Sequence, residues 1–301
     1  MSTCETNVVT RDCTSFDDLC AQINKLPQCF PSRWIYRGES SARYTLLPSL
    51  LRENAYKRIA RFLPDKDLSD RSCLSFYEAK LVIKFAKIAN QQGLYITYRK
   101  EFMLYDDDMA AAYLKVNNKI LPEDLYELFA LAQHYGIPTR FLDWTYDMYV
   151  ACFFALRNAY GKRLQSQIDG IDLNDKIVLW AIDMGFLQGK YRTTELYFVT
   201  PCYANNPNLA AQKGVLSFYD SIEDSTPLDK KIEKSQLENK QPLLYKFTLP
   251  YKEVPLSFAS LYDMGYTYSR IFPGYASIAT EIKERNILDG ITKEEKKDVS
   301  Q

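Results

Sequence analysis

KIVLWAID, residues 176–183, is where the chain changes character. Rich in branched and aromatic residues, it reads as a strand. Downstream, TELYFVT (194–200), GVLSFYD (214–220) and PLLYKFTLP (242–250) read the same way. Upstream the signals are mostly helical. In 75–93, Tyr77, Leu81, Phe85 and Ile88 make one stripe, Ser75 and Glu78 form a capping-box pattern, and Gly93 can end the helix. A second helix is expected over 121–136, with Pro122 in its first turn and Gly136 past its end. A third, over 145–161, has a nearly continuous apolar centre and is expected to be buried. RWIYRG (33–38) is the one early strand, after a short helix begun by Thr14 or Ser15. Further helices are expected over 254–265 and near 275–288, with a turn at Phe272, Pro273 and Gly274 between them.

This pattern predicts one mixed α+β domain, with helices mainly in the first half and a largely antiparallel sheet mainly from the second. The expected boundaries are an N-terminal extension over 1–14, a domain over 15–288 carrying a charged insertion at 221–241, and a disordered tail over 289–301.

Lys+Arg and Asp+Glu both number 38, so the formal net charge is zero. No general electrostatic grip on nucleic acid or membrane is therefore expected, which leaves a local basic patch open. No apolar run is long enough to span a bilayer, so no membrane partner is expected. The N-terminus lacks a basic segment followed by an apolar one, so a signal peptide is not expected. Seven scattered cysteines without a Cys-x-x-Cys read as reduced thiols of a cytoplasmic protein. With a single histidine besides, no metal site is expected.

That histidine lies in AQHYGIPTRFLDWT, residues 132–145. On the 121–136 helix, with Leu125 at zero and 100° per residue, Leu128, Phe129 and Ala132 fall within about 60° of the origin. His134 falls at about 180°, off the core stripe. In the last turn, the helix dipole favours a protonated imidazole. A structural and a functional histidine are both open. Gly136 suits a left-handed C-cap and Pro138 stops the helix. Arg140 and Asp143 pair with each other or cap the next helix, or else Arg140 and that helix's N-terminus bind an anion such as phosphate. Trp144 reads as packing.

YRGES poses the same choice. Gly38 permits close backbone approach. Arg37 can fork onto a phosphate or carboxylate, or pair with an acid such as Asp143. Glu39 is the nearest carboxylate for acid–base work.

These motifs resemble the FRG-domain family, named for Phe/Tyr-Arg-Gly, which stands here as Tyr36, Arg37 and Gly38. The family's His-x-Gly-x-Pro-Thr-Arg-x-Leu-Asp-Trp-Thr block is met by His134, Gly136, Pro138, Thr139, Arg140, Leu142, Asp143, Trp144 and Thr145. Its Ala-Gln-x-Gly element is met by Ala211, Gln212 and Gly214. The Phe-Pro-Gly at 272–274 also matches a family turn. The family is found in bacteria and their phages, and its name describes a motif.

The resemblance implies that segments around 37, 134–145 and 212 converge. Arg37, Glu39 and His134 are then the candidate catalytic residues. Tyr36, Gly38, Thr139, Arg140, Asp143, Trp144 and Gln212 are the candidate ligand-binding ones. Two cations, a titratable ring, a carboxylate and an amide suit a phosphate-bearing ligand such as a nucleotide. The sharpest enzymatic expectation is ADP-ribosyl transfer or hydrolysis at the glycosidic bond of NAD. NAD is then a substrate, and no resident cofactor is firmly implied. Against it, Ser-Thr-Ser and Glu-x-Glu are absent, and the one Gln-x-Glu, at Gln236 and Glu238, lies in the charged segment. The alternative is a non-catalytic module that senses a nucleotide or binds a protein partner. Three weaker signals are a Cys–His pair using Cys152 or Cys202, a near-miss phosphate loop at 185–190, and the acids Asp106, Asp107 and Asp108.

Overall fold

In a computed structural model, residues 6–28, 33–52, 74–96, 105–111, 121–169, 175–188, 196–204, 206–219, 224–235 and 242–298 are described. Seven strands form one sheet: β1 (Val8–Asp12), β2 (Trp34–Glu39), β3 (Leu142–Thr145), β4 (Lys176–Asp183), β5 (Leu196–Val199), β6 (Gly214–Tyr219) and β7 (Leu244–Pro250). Their order is β1-β7-β4-β2-β3-β6-β5. Only β1 with β7 is parallel; every other neighbour is antiparallel. The α+β reading of the sequence is met.

Among the described residues, ten α-helices accompany it: α1 (Phe16–Asn24), α2 (Leu74–Gln91), α3 (Tyr126–His134), α4 (Met148–Asp169), α5 (Met184–Gln188), α6 (Pro207–Gln212), α7 (Leu228–Lys234), α8 (Val254–Asp263), α9 (Tyr268–Ile271) and α10 (Tyr275–Asp298). Ser15 caps α1 by accepting the Asp18 N–H. Gly136 adopts φ 91° just past α3, the left-handed C-terminal position expected for it. No described helix is long and apolar enough to cross a membrane.

KIVLWAID is nearly all apolar because the sheet is covered on both faces. Ile177, Leu179 and Ala181 of β4 join Trp34 and Tyr36 of β2 in a cluster with α1, α4 and α8. Val178, Trp180 and Ile182 point the other way, to Leu46, Leu187, Leu228 and Ile232. A third cluster packs α2 and α3 onto Phe141, Leu216 and Phe218.

Several boundaries differ from those expected. Residues 142–145 form β3, so Thr145 ends a strand where a helix was expected to begin; Leu142 and Trp144 alternate with Asp143 and Thr145, and the strand pairs with β6. Arg140 and Asp143 therefore cap no helix, and α4 starts only at Met148. Glu78 does not close a capping box: α2 already begins at Leu74, and Glu78 is fully buried. The expected extension over 1–14 contributes β1 to the sheet, whose backbone groups β7 pairs. Within the expected insertion, α7 buries Leu228 and Ile232, and Asp229 accepts the Leu46 N–H at 3.2 Å. Helix α10 continues to Asp298, where a disordered tail was expected from 289. Lys and Glu dominate there, and both are good helix formers.

Helix α4 crosses β2 at the residue where side chains would keep them apart. A Cβ added to Gly38 would stand 1.9 Å from the Ala151 carbonyl oxygen and 3.0 Å from the Ala155 Cβ. The close approach that Gly38 permits is to this helix backbone. Gly38→Ala is expected to destabilise by about 1–3 kcal/mol through overpacking. The readout is the urea midpoint at unchanged slope; a loss under about 0.5 kcal/mol would mean that the helix–strand contact is loose.

Candidate functional site

Strands β2 and β3 share one registered pair, Tyr36 with Thr145. By contrast, β2 pairs with β4 over all six of its residues. The sheet therefore opens into a seam beyond Tyr36, and a cleft of about 470 Å³ lies against it. Arg37 spans the seam. Its Nη1 donates to the Asp143 carbonyl at 2.7 Å, where a continued ladder would have supplied a backbone N–H. On the other side, Nε and Nη2 both donate to Glu39 Oε1, at 2.9 and 2.6 Å. Arg37 and Glu39 are two apart on one strand and so share a face, which is what lets them pair.

Burial works against the Arg37 charge, but the Glu39 and Asp143 carboxylates outweigh it and raise the guanidinium pKa. The Asp143 carboxylate is 3.8 Å from Nη1 and largely exposed, at 68%. It accepts Gln133 Nε2 at 2.6 Å, and Gln133 in turn accepts the Thr139 hydroxyl. Arg52 sits beside the same group, its Nη2 3.9 Å from Glu39 Oε1.

Eight of the ten sequence-derived candidates line this cleft: Tyr36, Arg37, Gly38, Glu39, His134, Asp143, Trp144 and Gln212. Trp144 is mainly buried packing, its Nε1 donating to Ser217 at 2.8 Å. Gln212 ends α6, and its Nε2 donates to the Ile271 carbonyl at 3.3 Å. Lys213 follows at φ 48°, the one non-glycine residue with positive φ among those described. Its ammonium meets Asp147 at 2.9 Å, and the Gln212 carbonyl accepts the Thr145 hydroxyl at 2.7 Å. These contacts hold the Ala-Gln-x-Gly turn against β3.

Thr139 and Arg140 do not join the cleft. Thr139 is fully buried. Arg140 turns into the core, where its Nε and Nη2 meet Glu78 Oε2 at 2.8 and 2.6 Å. Glu78 Oε1 also accepts the Arg140 backbone N–H at 2.6 Å. This pair, with two guanidinium nitrogens on one carboxylate oxygen and the backbone N–H on the other, compensates two buried charges, and removing one partner typically costs about 3–5 kcal/mol. It leaves Arg140 unsuited to an anion in the cleft.

His134 is half-buried, 3.5 Å from the Asn208 amide. Burial lowers its pKa and outweighs the opposing pull of Asp143, so the neutral ring is favoured despite its helix-terminal position. The Cys–His and acidic signals do not reach the cleft. Cys152 is fully buried, with its thiol pKa pushed up by that burial, and neither it nor Cys202 lines the cleft. Asp107 and Asp108 pair with Lys87 and Lys80, and Asp106 accepts the Met109 N–H. Only 185–188 of the phosphate-loop near-miss, and neither Gln236 nor Glu238, lie within the described residues. Among the described residues, no His, Cys, Asp and Glu cluster could hold a metal ion.

Among the lining residues without an assigned role in the sequence reading are Arg52, Gln133, Phe154, Asn158 and Phe272. Phe272 had a signal, because it opens the Phe-Pro-Gly turn. It meets Phe154 edge-on, with ring centroids 5.9 Å apart. Gln133 also had one, beside His134. Arg52, Phe154 and Asn158 had no motif to mark them.

The Tyr-Arg-Gly strand and the His-to-Thr block thus form opposite sides of one seam. The FRG domain family matches residues 32–163. The chain carries an FRG domain. The matched stretch supplies Tyr36 through Glu39, Arg52, Gln133, His134, Asp143 and Trp144. Gln212 and Phe272, beyond the stretch, close the FRG cleft from the other side. No curated protein and no solved structure matches the chain.

His134 is the only histidine, so its ring gives one titrating proton signal. The expected NMR midpoint lies below the ordinary value of about 6.5. The sign for stability follows. The unfolded chain binds this proton more readily, so His134 stabilises the fold above about pH 6.5, and that contribution is lost as pH falls through the folded-state midpoint. A midpoint at or above 6.5 would show the ring to be solvated or paired with a carboxylate.

Proposed function

We propose that the cleft binds a phosphate-bearing small molecule of nucleotide type, and that its chemistry is cleavage of the N-glycosidic bond of NAD. The observation that carries this reading is the grouping of two guanidiniums, Arg37 and Arg52, with the Glu39 carboxylate at an aromatic-walled cleft. The cleft volume is in the range of small-molecule sites, about 300–1,000 Å³. Guanidiniums suit phosphate oxygens by their planar donor fork. Phe154 and Phe272 offer ring surfaces to a base.

In this reading Glu39, oriented by Arg37, stabilises the ribosyl cation as the C1′–N bond breaks. The bond's electron pair leaves with the ring as neutral nicotinamide. Water adds its oxygen to C1′ and gives its proton to neutral His134, which returns it to solvent. The products are ADP-ribose, nicotinamide and one proton; an acceptor nucleophile in place of water gives ADP-ribosyl transfer.

A second reading is favoured by one specific observation. All three guanidinium nitrogens of Arg37 donate to Glu39 or to the Asp143 carbonyl and so brace the seam, as those of a structural arginine would. The FRG domain would then be a non-catalytic module that senses a nucleotide or binds a protein.

The test is incubation with NAD, ATP and GTP, followed by NMR, with wild type and Glu39→Gln. The expected result is conversion of NAD to nicotinamide by wild type, reduced about 100-fold or more in folded Glu39→Gln. NAD that binds and stays intact would favour the sensing module. No binding of any nucleotide would overturn both nucleotide readings.

A further inference from the structure

A second cavity, of about 250 Å³, lies on the far side of the Arg37 bridge. Its walls include Ser49, Ile137, Pro138 and Phe141, none of which faces the first cleft. Four residues line both: Arg37, Arg52, Gln133 and Asp143. The two spaces therefore meet across a polar partition, and both guanidiniums belong to it. By itself the second cavity falls below the usual size of a small-molecule site, whereas the first lies within that range. It is best understood as an annexe to the first.

We infer that the ligand is two-ended: a dinucleotide whose diphosphate link crosses the partition at Arg37 and Arg52, with one nucleoside in each cavity. This rests on the nucleotide reading given above and adds the arrangement of the ligand. The partition supplies two guanidinium charges for two phosphates. Glu39 does not repel them strongly, because Arg37 already pairs with it at 2.6 Å. Asp143 directs its carboxylate to Gln133, and at 68% exposure it can keep its hydration. Arg52 is the more exposed cation, at 42%, with its Nη2 3.9 Å from Glu39 and its Nε donating to the Leu47 carbonyl at 2.9 Å. The aromatic cleft with Glu39 and His134 takes the ribosyl–nicotinamide end, where the bond breaks. The smaller cavity, with apolar walls from Ile137, Pro138 and Phe141, takes the adenosine end.

Titration calorimetry with NAD, nicotinamide mononucleotide and AMP tests this, using wild type and Ser49→Leu, which fills the second cavity. Wild type is expected to bind NAD at least about tenfold more tightly than either half, because linked ends bind as one event. Ser49→Leu should reduce NAD affinity to that of nicotinamide mononucleotide and leave the mononucleotide unchanged. If Ser49→Leu fails to fold by circular dichroism, the wild-type comparison alone decides. Equal affinity for NAD and one half would overturn the two-cavity arrangement while the nucleotide reading stands. No binding of NAD or of either half would overturn both.

Discussion

The fork of Arg37 is the contact on which this site depends. Strands β2 and β3 meet at a single residue pair, yet the sheet runs through them into β6 and β5. Beyond Tyr36 the β2–β3 ladder stops, and the exposed Asp143 carbonyl takes its hydrogen bond from the Arg37 guanidinium instead. Arg37 supplies the donor from a side chain, and Glu39 holds that side chain in place. The strands can thus diverge far enough to leave a cleft without leaving the ladder unsatisfied.

Around that seam, each layer has a separate task. Gly38 lets α4 close against β2 on one face of the sheet. The buried Arg140–Glu78 pair ties α2 to the segment entering β3. The Lys213–Asp147 contact ties the turn after α6 to the start of α4. Two of the three arginines near the site are thus spent largely on architecture. Arg52, which carries no motif, is the most exposed of the three, with its Nε held by the Leu47 carbonyl.

The sheet was legible because β4 is buried on both faces and reads as a continuous apolar run, and because β2, β6 and β7 are rich in branched and aromatic residues. Short β3 was not: four residues carry too little alternation to compete with the apolar helix that follows them. Strand β1 was hidden because its residues are half-buried or exposed and its order comes from pairing with β7. The convergence of residues 36–39, 134, 143–144 and 212 was legible through the motifs. The separation of Arg140 from Arg37 was not, because Glu78 lies 62 residues away and its spacing from Ser75 suggested a helix cap.

The central claim is that Arg37 holds the seam and thereby shapes the cleft. Backbone hydrogen exchange of Arg37→Gln beside wild type tests it most directly. The account predicts that protection falls in β3 and in its partner β6, while β4 and β7 keep theirs. Unchanged protection in β3, or a uniform loss across the whole sheet, would contradict it.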